Sequence, residues 1–331
     1  MKKILLIIIS ILLLGIISFS TYYLFFMKKE EKTADDVSVD ESAKLLIEED
    51  MIHQEETLDY PSWIPQNTGG GAPWYDDLYY ATSDDGMTFE EQGLFLPHSG
   101  VGHLLLTQED ELIATFQYFS YENEELFDKI AYSISGDYGI TWSPVKLVNI
   151  GMPNVIKGGK QSPNAVDPTL IQLEDGSFRL YFTYEQPEDG FPQLYSATSD
   201  SIDGYFKWEG KQLTTEQIVL DPAVVFFDNM WHHYTTRHED FGGETVRNVH
   251  STSEDGLSFE RQDDIEIGMS FLGDVIEVDG GLRFYGGQSS SFSEDGYTWT
   301  MDEGRRLEGA DPGVAIMPDG TYIAIYTGGG K

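Results

Sequence analysis

Three Asp-Pro pairs, Asp167-Pro168, Asp221-Pro222 and Asp311-Pro312, each open an apolar run of the chain. Carboxyl groups that converge from separate strands tune one another, because like charges at close range cannot all ionise, and one of them then keeps a proton for acid–base work. Asp274 heads a fourth run, two residues beyond the equivalent position, so the pleat of a strand sends it to the same side. His103 heads a fifth run, which has no Asp at that place. Glu185, in Thr183-Tyr184-Glu185-Gln186-Pro187, follows an Asp-Pro unit and is the spare general acid. Gln117, Arg237, His238 and Gln288 fall in the corresponding segments after other runs, and His233 lies inside one, so all of them are candidate ligand contacts. Each has a plainer reading as well: a strand opener whose carboxylate accepts backbone N–H groups, a solvated loop residue, or a packed and hydrogen-bonded histidine. His232 and His233 are neighbours in a strand and face opposite sides, so they make no zinc chelate. No cofactor is expected, and an axial Ca²⁺, which takes 6–8 oxygen ligands, is the one alternative that convergent carboxylates leave open.

Composition narrows the partners. The 331 residues carry 20 Lys+Arg against 57 Asp+Glu, a net charge of −37, and no Cys. Such a chain does not hold nucleic acid by neutralising phosphates, and it has neither disulfides nor thiolate chemistry. Hydrophobic residues make up 40% of it, enough for a folded core. Residues 4–26 form an uncharged run long enough to cross a bilayer. Residues 1–27 are therefore expected to be a signal anchor or transmembrane helix, with cleavage and secretion as the alternative. Residues 28–60 read as an acidic linker. Lys2 and Lys3 place the N-terminus inside and the rest of the chain on the extracytoplasmic side.

Residues 61–331 are built from repeats. One unit alternates small and aromatic residues, turns through Asp, Ser and Gly, and ends on an aromatic. Its five copies are 79–89, 131–142, 195–208, 251–259 and 292–299. Asp and Ser side chains bond the backbone of such a turn, and Gly supplies positive φ. A second unit, an apolar strand, an acidic turn and an aromatic strand, alternates with the first at 103–116, 167–182, 221–234, 274–285 and 311–326. The series begins with half a sheet and ends with half a sheet. Joining the two makes five four-stranded sheets and hides two edges. The predicted fold is an all-β, five-bladed β-propeller whose terminal strands close one blade.

The first unit resembles the Asp-box of the sialidase (BNR-repeat) superfamily, Ser/Thr-x-Asp-x-Gly-x-Thr-Trp. Ser135–Trp142 matches throughout, and Thr82–Phe89 matches with Phe for Trp. Residues 252–259 and 292–299 align with Glu254 and Glu294 at the Asp position, and 201–208 keep Ser201, Asp203 and Trp208. The second unit is similar to the innermost strand of five-bladed glycosidases of the arabinanase and xylosidase type, where an Asp-Pro aims its carboxylate at a central pocket. That resemblance implies a carbohydrate substrate and hydrolysis by a carboxylate pair. Asp167 and Asp221 would be base and pKa-tuner, and Glu185 or Asp311 the acid. Trp63, Trp74 and Trp231 are candidate sugar platforms. The chain has no Glu-Gly-Pro segment for the family's acid and no Arg-Ile-Pro motif of true sialidases. A non-catalytic surface propeller that binds glycan or protein therefore stays open beside the enzyme. In either case a monomer is expected.

Overall fold

The computed structural model describes residues 61–65, 73–153, 156–157, 160–161, 164–186, 189–237, 247–269 and 273–328. The anchor and linker expected over 1–60 lie outside these residues. Among the described residues no helix is long and apolar enough to cross a membrane. Residues 61–65 belong to a separate unit, Met1–Gly71, and form one turn.

The second unit, Ala72–Lys331, holds five sheets. Blade 1 runs outward from the innermost strand as Ser99–Leu106, Leu112–Phe119, Phe127–Ser135 and Lys146–Leu147. Blade 2 is Val166–Gln172, Phe178–Tyr184, Gln193–Ser199 and Tyr205–Lys211, with the short strand Asn149–Ile150 added parallel at its outer edge. Blade 3 is Ala223–Phe227, Met230–Thr236, Asn248–Ser253 and Glu260–Arg261. Blade 4 is Asp274–Val278, Gly281–Gly286, Ser289–Ser293 and Thr300–Met301. Blade 5 joins the two ends of the repeat region: Ala310–Ile316 and Tyr322–Gly328 pair onward to Asp77–Ser83 and Glu90–Leu96. The closing ladder is antiparallel and unbroken from Asp77 opposite Gly328 to Ser83 opposite Tyr322. The predicted propeller, its blade count and its closure are thus the observed ones.

The buried apolar residues fall into clusters that each fill the wedge between two blades. Ile113 and Tyr132 of blade 1 meet Leu170 and Phe182 of blade 2. Leu104 and Phe116 of blade 1 meet Ile323 and Ile325 of blade 5. Three further clusters fill the wedges between blades 2 and 3, 3 and 4, and 4 and 5. Alternation along the strands explains this, since a sheet packed on both faces sends successive side chains into two different wedges.

The turns at the end of the ring remote from the strand openings use a register that the sequence alignment placed one residue away. Ser135 and Asp137 bond each other at 2.8 Å, as expected. In three other blades the bonded pairs are Ser83–Asp85, Ser253–Asp255 and Ser293–Asp295, at 3.0, 2.9 and 3.1 Å. Asp84, Glu254 and Glu294 are not the turn residues. These three turns have one residue fewer between Asp and Gly, so the carboxylate next to Gly caps the N–H groups that follow, as Asp85 does for Met87 and Thr88 at 2.8 Å.

A tyrosine from each preceding blade plugs three of these turns. The Tyr181 hydroxyl donates to the carbonyl of Gly256 at 2.6 Å, Tyr234 to that of Gly296 at 2.8 Å, and Tyr285 to that of Gly86 at 2.9 Å. Gly256 has φ +73, and a Cβ there would stand 2.8 Å from the Tyr181 hydroxyl and 2.7 Å from an Arg179 nitrogen. Gly280 has φ +83 with open space around it. Gly256→Ala is therefore expected to cost about 2–5 kcal/mol, from left-handed strain plus the clash, and Gly280→Ala only about 1–2. Denaturant unfolding of the two variants checks the difference; equal losses would mean that the tyrosine lock contributes nothing.

Candidate active site

The ring opens where each innermost strand begins, and a backbone bulge sets the site there. In blade 2, Val166 pairs with Thr183 and the next pair is Thr169 with Tyr181, so Asp167 and Pro168 together face one residue. Blade 5 repeats this with Asp311 and Pro312, between the pairs Ala310–Thr327 and Gly313–Ile325. Blade 1 repeats it with Val101 and Gly102, between Gly100–Gln117 and His103–Thr115. The first bulge residue is left-handed each time: φ is 48° at Val101, 53° at Asp167 and 46° at Asp311, with 47° at Asp221 at the head of blade 3. A bulge of this kind turns one side chain out of the pleat. Here it turns them to the axis, where Val101, Asp167, Asp221, Gly273 and Asp311, one from each blade, line a narrow opening whose cavity volume is about 10 Å³, room for about one water.

The blades are stitched together at this level and just below it. The Asp221 N–H donates to the Asp167 carboxylate at 3.3 Å, and the Thr169 hydroxyl donates to the Pro222 carbonyl. The Val101 N–H donates to the Thr327 hydroxyl at 3.1 Å, and the Val314 N–H to Asp274 at 3.0 Å. Withdrawal from bulk water pushes Asp167, Asp221 and Asp311 above the ordinary carboxylate range. Asp167 and Asp311 add to the rise at Asp221, while Asp167 and Asp76 help lift Asp311 to about 7. At neutral pH this cluster holds protons that free aspartates would have lost.

The structure places the other candidates as follows. His103 does not take the axial position of blade 1; Val101 does, since the shared bulge makes Val101-Gly102 equivalent to Asp167-Pro168 and His103 equivalent to Thr169. There it lines the cavity beside Asp167, with Nδ1 accepting the Leu170 N–H at 3.4 Å and Nε2 3.6 Å from Asp274. Asp274 is buried at this deeper level, and burial raises it to about 8. Gln117 is buried and donates to Asp128 at 2.5 Å. Glu185 follows Tyr184 and is not among the described residues that line the cavity. His233 packs against Phe259, with Nδ1 2.9 Å from the Ser251 hydroxyl, inside the wedge and away from the axis. Arg237 bonds Asp264 at 2.6 Å, and Arg261 bonds the same carboxylate. Gln288 sits in the hairpin of blade 4, where its carbonyl accepts the Arg306 N–H at 2.9 Å. His238 lies outside the described residues. Trp231 packs on Tyr181 and Phe226 within the blades. No group of three or more His, Asp or Glu arranged to hold a metal occurs among the described residues.

Two acidic residues here were not singled out in the sequence. Asp76 is lifted to about 6 by burial and by Asp77, and it acts in turn on Asp311. Asp128 is left-handed, with φ 57°, and acts on Asp167. The signal was available: Tyr75-Asp76-Asp77-Leu78 and Phe127-Asp128-Lys129-Ile130 extend the first repeat unit upstream of where the alignment began.

No protein-family model matches the sequence, and no curated protein matches it. Solved structures do match the fold. A thermostable family-43 glycoside hydrolase superposes with a TM-score of 0.51 at 13% identity, over 69% of this chain and 88% of that one. The α-L-arabinanase of Penicillium chrysogenum, solved with arabinobiose, gives 0.51 at 12% identity over 78% and 87%. A protein of unknown function from Dyadobacter fermentans gives 0.51 at 12% identity over 79% and 86%. At such identities the likeness is one of fold, and the chemistry must be argued from the side chains above.

The buried titrating groups set how stability varies with pH. Asp274 and Asp311, raised from 3.8 to about 8 and about 7, contribute stability that is complete below about 3.8 and is lost as pH rises through 7 and 8. Burial lowers His103 to about 4 and His233 to about 3, so these two contribute stability present above 6.5 and lost as pH falls towards 4 and 3. Above pH 6.5 only the aspartate effect remains. Thermal unfolding should show Tm falling between pH 6.5 and 8.5, and Asp274→Asn should flatten that fall. A Tm that rises over this interval would contradict the assignment.

Proposed function

We propose that this chain is a glycoside hydrolase that cleaves a carbohydrate in the axial cavity by carboxylate acid–base catalysis. The observation that carries this reading is the convergence of Asp167, Asp221 and Asp311 from three blades on one cavity, with Asp311 holding its proton to about pH 7. Asp311 would be the general acid: it gives its proton to the glycosidic oxygen as that bond breaks. Asp167, fixed by the Asp221 N–H, would be the carboxylate that acts on the opposite face of the sugar, and Asp221 would tune both. Asp311 is preferred to Glu185 as acid because it lines the cavity and Glu185 does not. The fold shared with a family-43 glycoside hydrolase and an arabinanase supports the same reading. Residues 4–26 support tethering at a membrane with the propeller on the outer side.

A panel of chromogenic glycosides tests the proposal. Turnover should fall as pH rises through about 7, following loss of the Asp311 proton. Asp311→Asn and Asp167→Asn should each lower kcat by about 10²–10⁴. Among the described residues no Glu lines the cavity, which favours one other reading, a non-catalytic glycan-binding propeller. Retention of sugars with no turnover of any glycoside would establish that reading and end the enzymatic one.

A further inference from the structure

The innermost strand of each blade has one edge that no strand covers, so the N–H groups on that edge need acceptors from elsewhere. Leu170 of blade 2 and Val314 of blade 5 are equivalent, each three residues after the Asp of an Asp-Pro pair. The Leu170 N–H donates to Nδ1 of His103 from blade 1 at 3.4 Å, and the Val314 N–H donates to the Asp274 carboxyl group of blade 4 at 3.0 Å. Because Nδ1 accepts, the proton of the neutral imidazole sits on Nε2, and Nε2 lies 3.6 Å from Asp274 Oδ1. His103 and Asp274 occupy the same level of their strands, opposite Thr115 and Tyr285. Blades 1 and 4 are not neighbours in the ring, so the contact between them runs across the axis. Blade 5, which lies between them, makes room with Gly313, where a Cβ would stand 2.5 Å from the His103 Cα and 2.5 Å from the Gly102 carbonyl oxygen. Both side chains are buried, His103 as a wall of the cavity and Asp274 out of contact with it.

We propose that His103 and Asp274 are a positioning pair that closes the axis of the ring beneath Asp167, Asp221 and Asp311, keeps water from reaching those carboxyl groups from the far end, and so preserves Asp311 as a proton donor. The role of Asp311 as donor rests on the glycosidase reading above; the closure rests on the contacts just described. The titratable groups around Asp311 are Asp167 of blade 2, Asp221 of blade 3, His103 of blade 1 and Asp274 of blade 4, with Asp76 ahead of the strand Asp77–Ser83. Asp167 and Asp76 act on it as charges. His103 acts otherwise. Burial lowers it to about 4, so at neutral pH the imidazole is uncharged and its effect on Asp311 is to shut out water.

NMR of isotopically labelled aspartate carboxyl carbons in the full chain tests this without requiring hydrolysis, the Asp311 resonance being the one lost in Asp311→Asn. Its titration midpoint should lie at about 7 in the wild type. His103→Ala, which admits water, should lower the midpoint by about one pH unit or more, and His103→Gln, whose amide spans the same gap, should restore it. Asp274→Ala should act as His103→Ala does, whereas Asp274→Asn, equal in size, should leave the midpoint in place. Circular dichroism shows whether each variant keeps the fold. The wild type supplies a second measurement: the amide protons of Leu170 and Val314 should exchange with solvent as slowly as those inside the blade ladders. If the alanine variants do not fold, these exchange rates decide alone. An unchanged or raised midpoint in His103→Ala, an equal fall in Asp274→Asn, which would make charge the cause, or fast exchange at Leu170 and Val314 would each overturn the inference. The expected shifts without turnover of any glycoside would count only against catalysis.

Discussion

A left-handed residue at the head of four of the five innermost strands is the constraint on which the rest of this structure depends. Four blades show it, and Val101 shows it most clearly, because a β-branched side chain is poorly suited to φ 48° and yet adopts it. The ring therefore imposes the bulge whatever residue occupies it. The next residue explains why. It is Pro168, Pro222, Pro312 or Gly102, and the neighbouring blade lies too close for an ordinary side chain: a Cβ on Gly102 would stand 2.6 Å from Ile325, and one on Gly273 would stand 2.5 Å from Pro312. Proline also brings no N–H that would need a ladder partner at a point where the ladder is interrupted.

That geometry makes the opening of the ring both a structural joint and a place for chemistry. Asp tolerates left-handed backbone better than most residues, which favours it at the bulge. Once there, its carboxyl group points at the axis and is withdrawn from water. The fold meets the resulting electrostatic cost in two ways. Backbone N–H groups of Asp221 and Val314 serve Asp167 and Asp274, and the remaining cost is met by keeping protons on the cluster. A proton retained for structural reasons is also one available for transfer, so the same desolvation that weakens the fold at high pH is what a general acid requires.

The fold was legible in the sequence because each blade writes its own strands and turns, and five copies correct one another's ambiguities. The closure of blade 5 followed from the half-sheets at the two ends. The site was legible only where a motif marked it: Asp-Pro located three carboxyl groups at one register. His103 lines the cavity but two residues below the axial position, because blade 1 carries Val101-Gly102 in place of Asp-Pro and so has no mark for the head of its strand. His233 was undecided for a related reason. Alternation says that His232 and His233 face opposite sides but not which wedge receives each, and the packing of Phe259 decides it. Asp76 and Asp128 escaped because the repeat was aligned from its aromatic alternation, and the conserved spacing to Ser83 and Ser135 begins upstream of that. The turn register slipped because adjacent acids, Asp84-Asp85, Glu254-Asp255 and Glu294-Asp295, satisfy the pattern in either of two ways.

The opposite end of the ring explains how the strained end persists. There the side-chain and backbone partners are complementary: in blades 3, 4 and 5 serine and aspartate cap the turn, glycine supplies its positive φ, and a tyrosine from the preceding blade closes on the glycine carbonyl. Those hydroxyls join blades 2 to 3, 3 to 4 and 4 to 5, and the continuous ladder of blade 5 joins the last repeat to the first. With the blades fixed at that end and wedged apart by five apolar clusters, the innermost strands cannot splay to relieve either the left-handed bulges or the crowding of carboxyl groups. Strain and buried charge are thus confined to the axial opening, and the carboxyl groups there keep the unfavourable proximity that gives them shifted proton affinities.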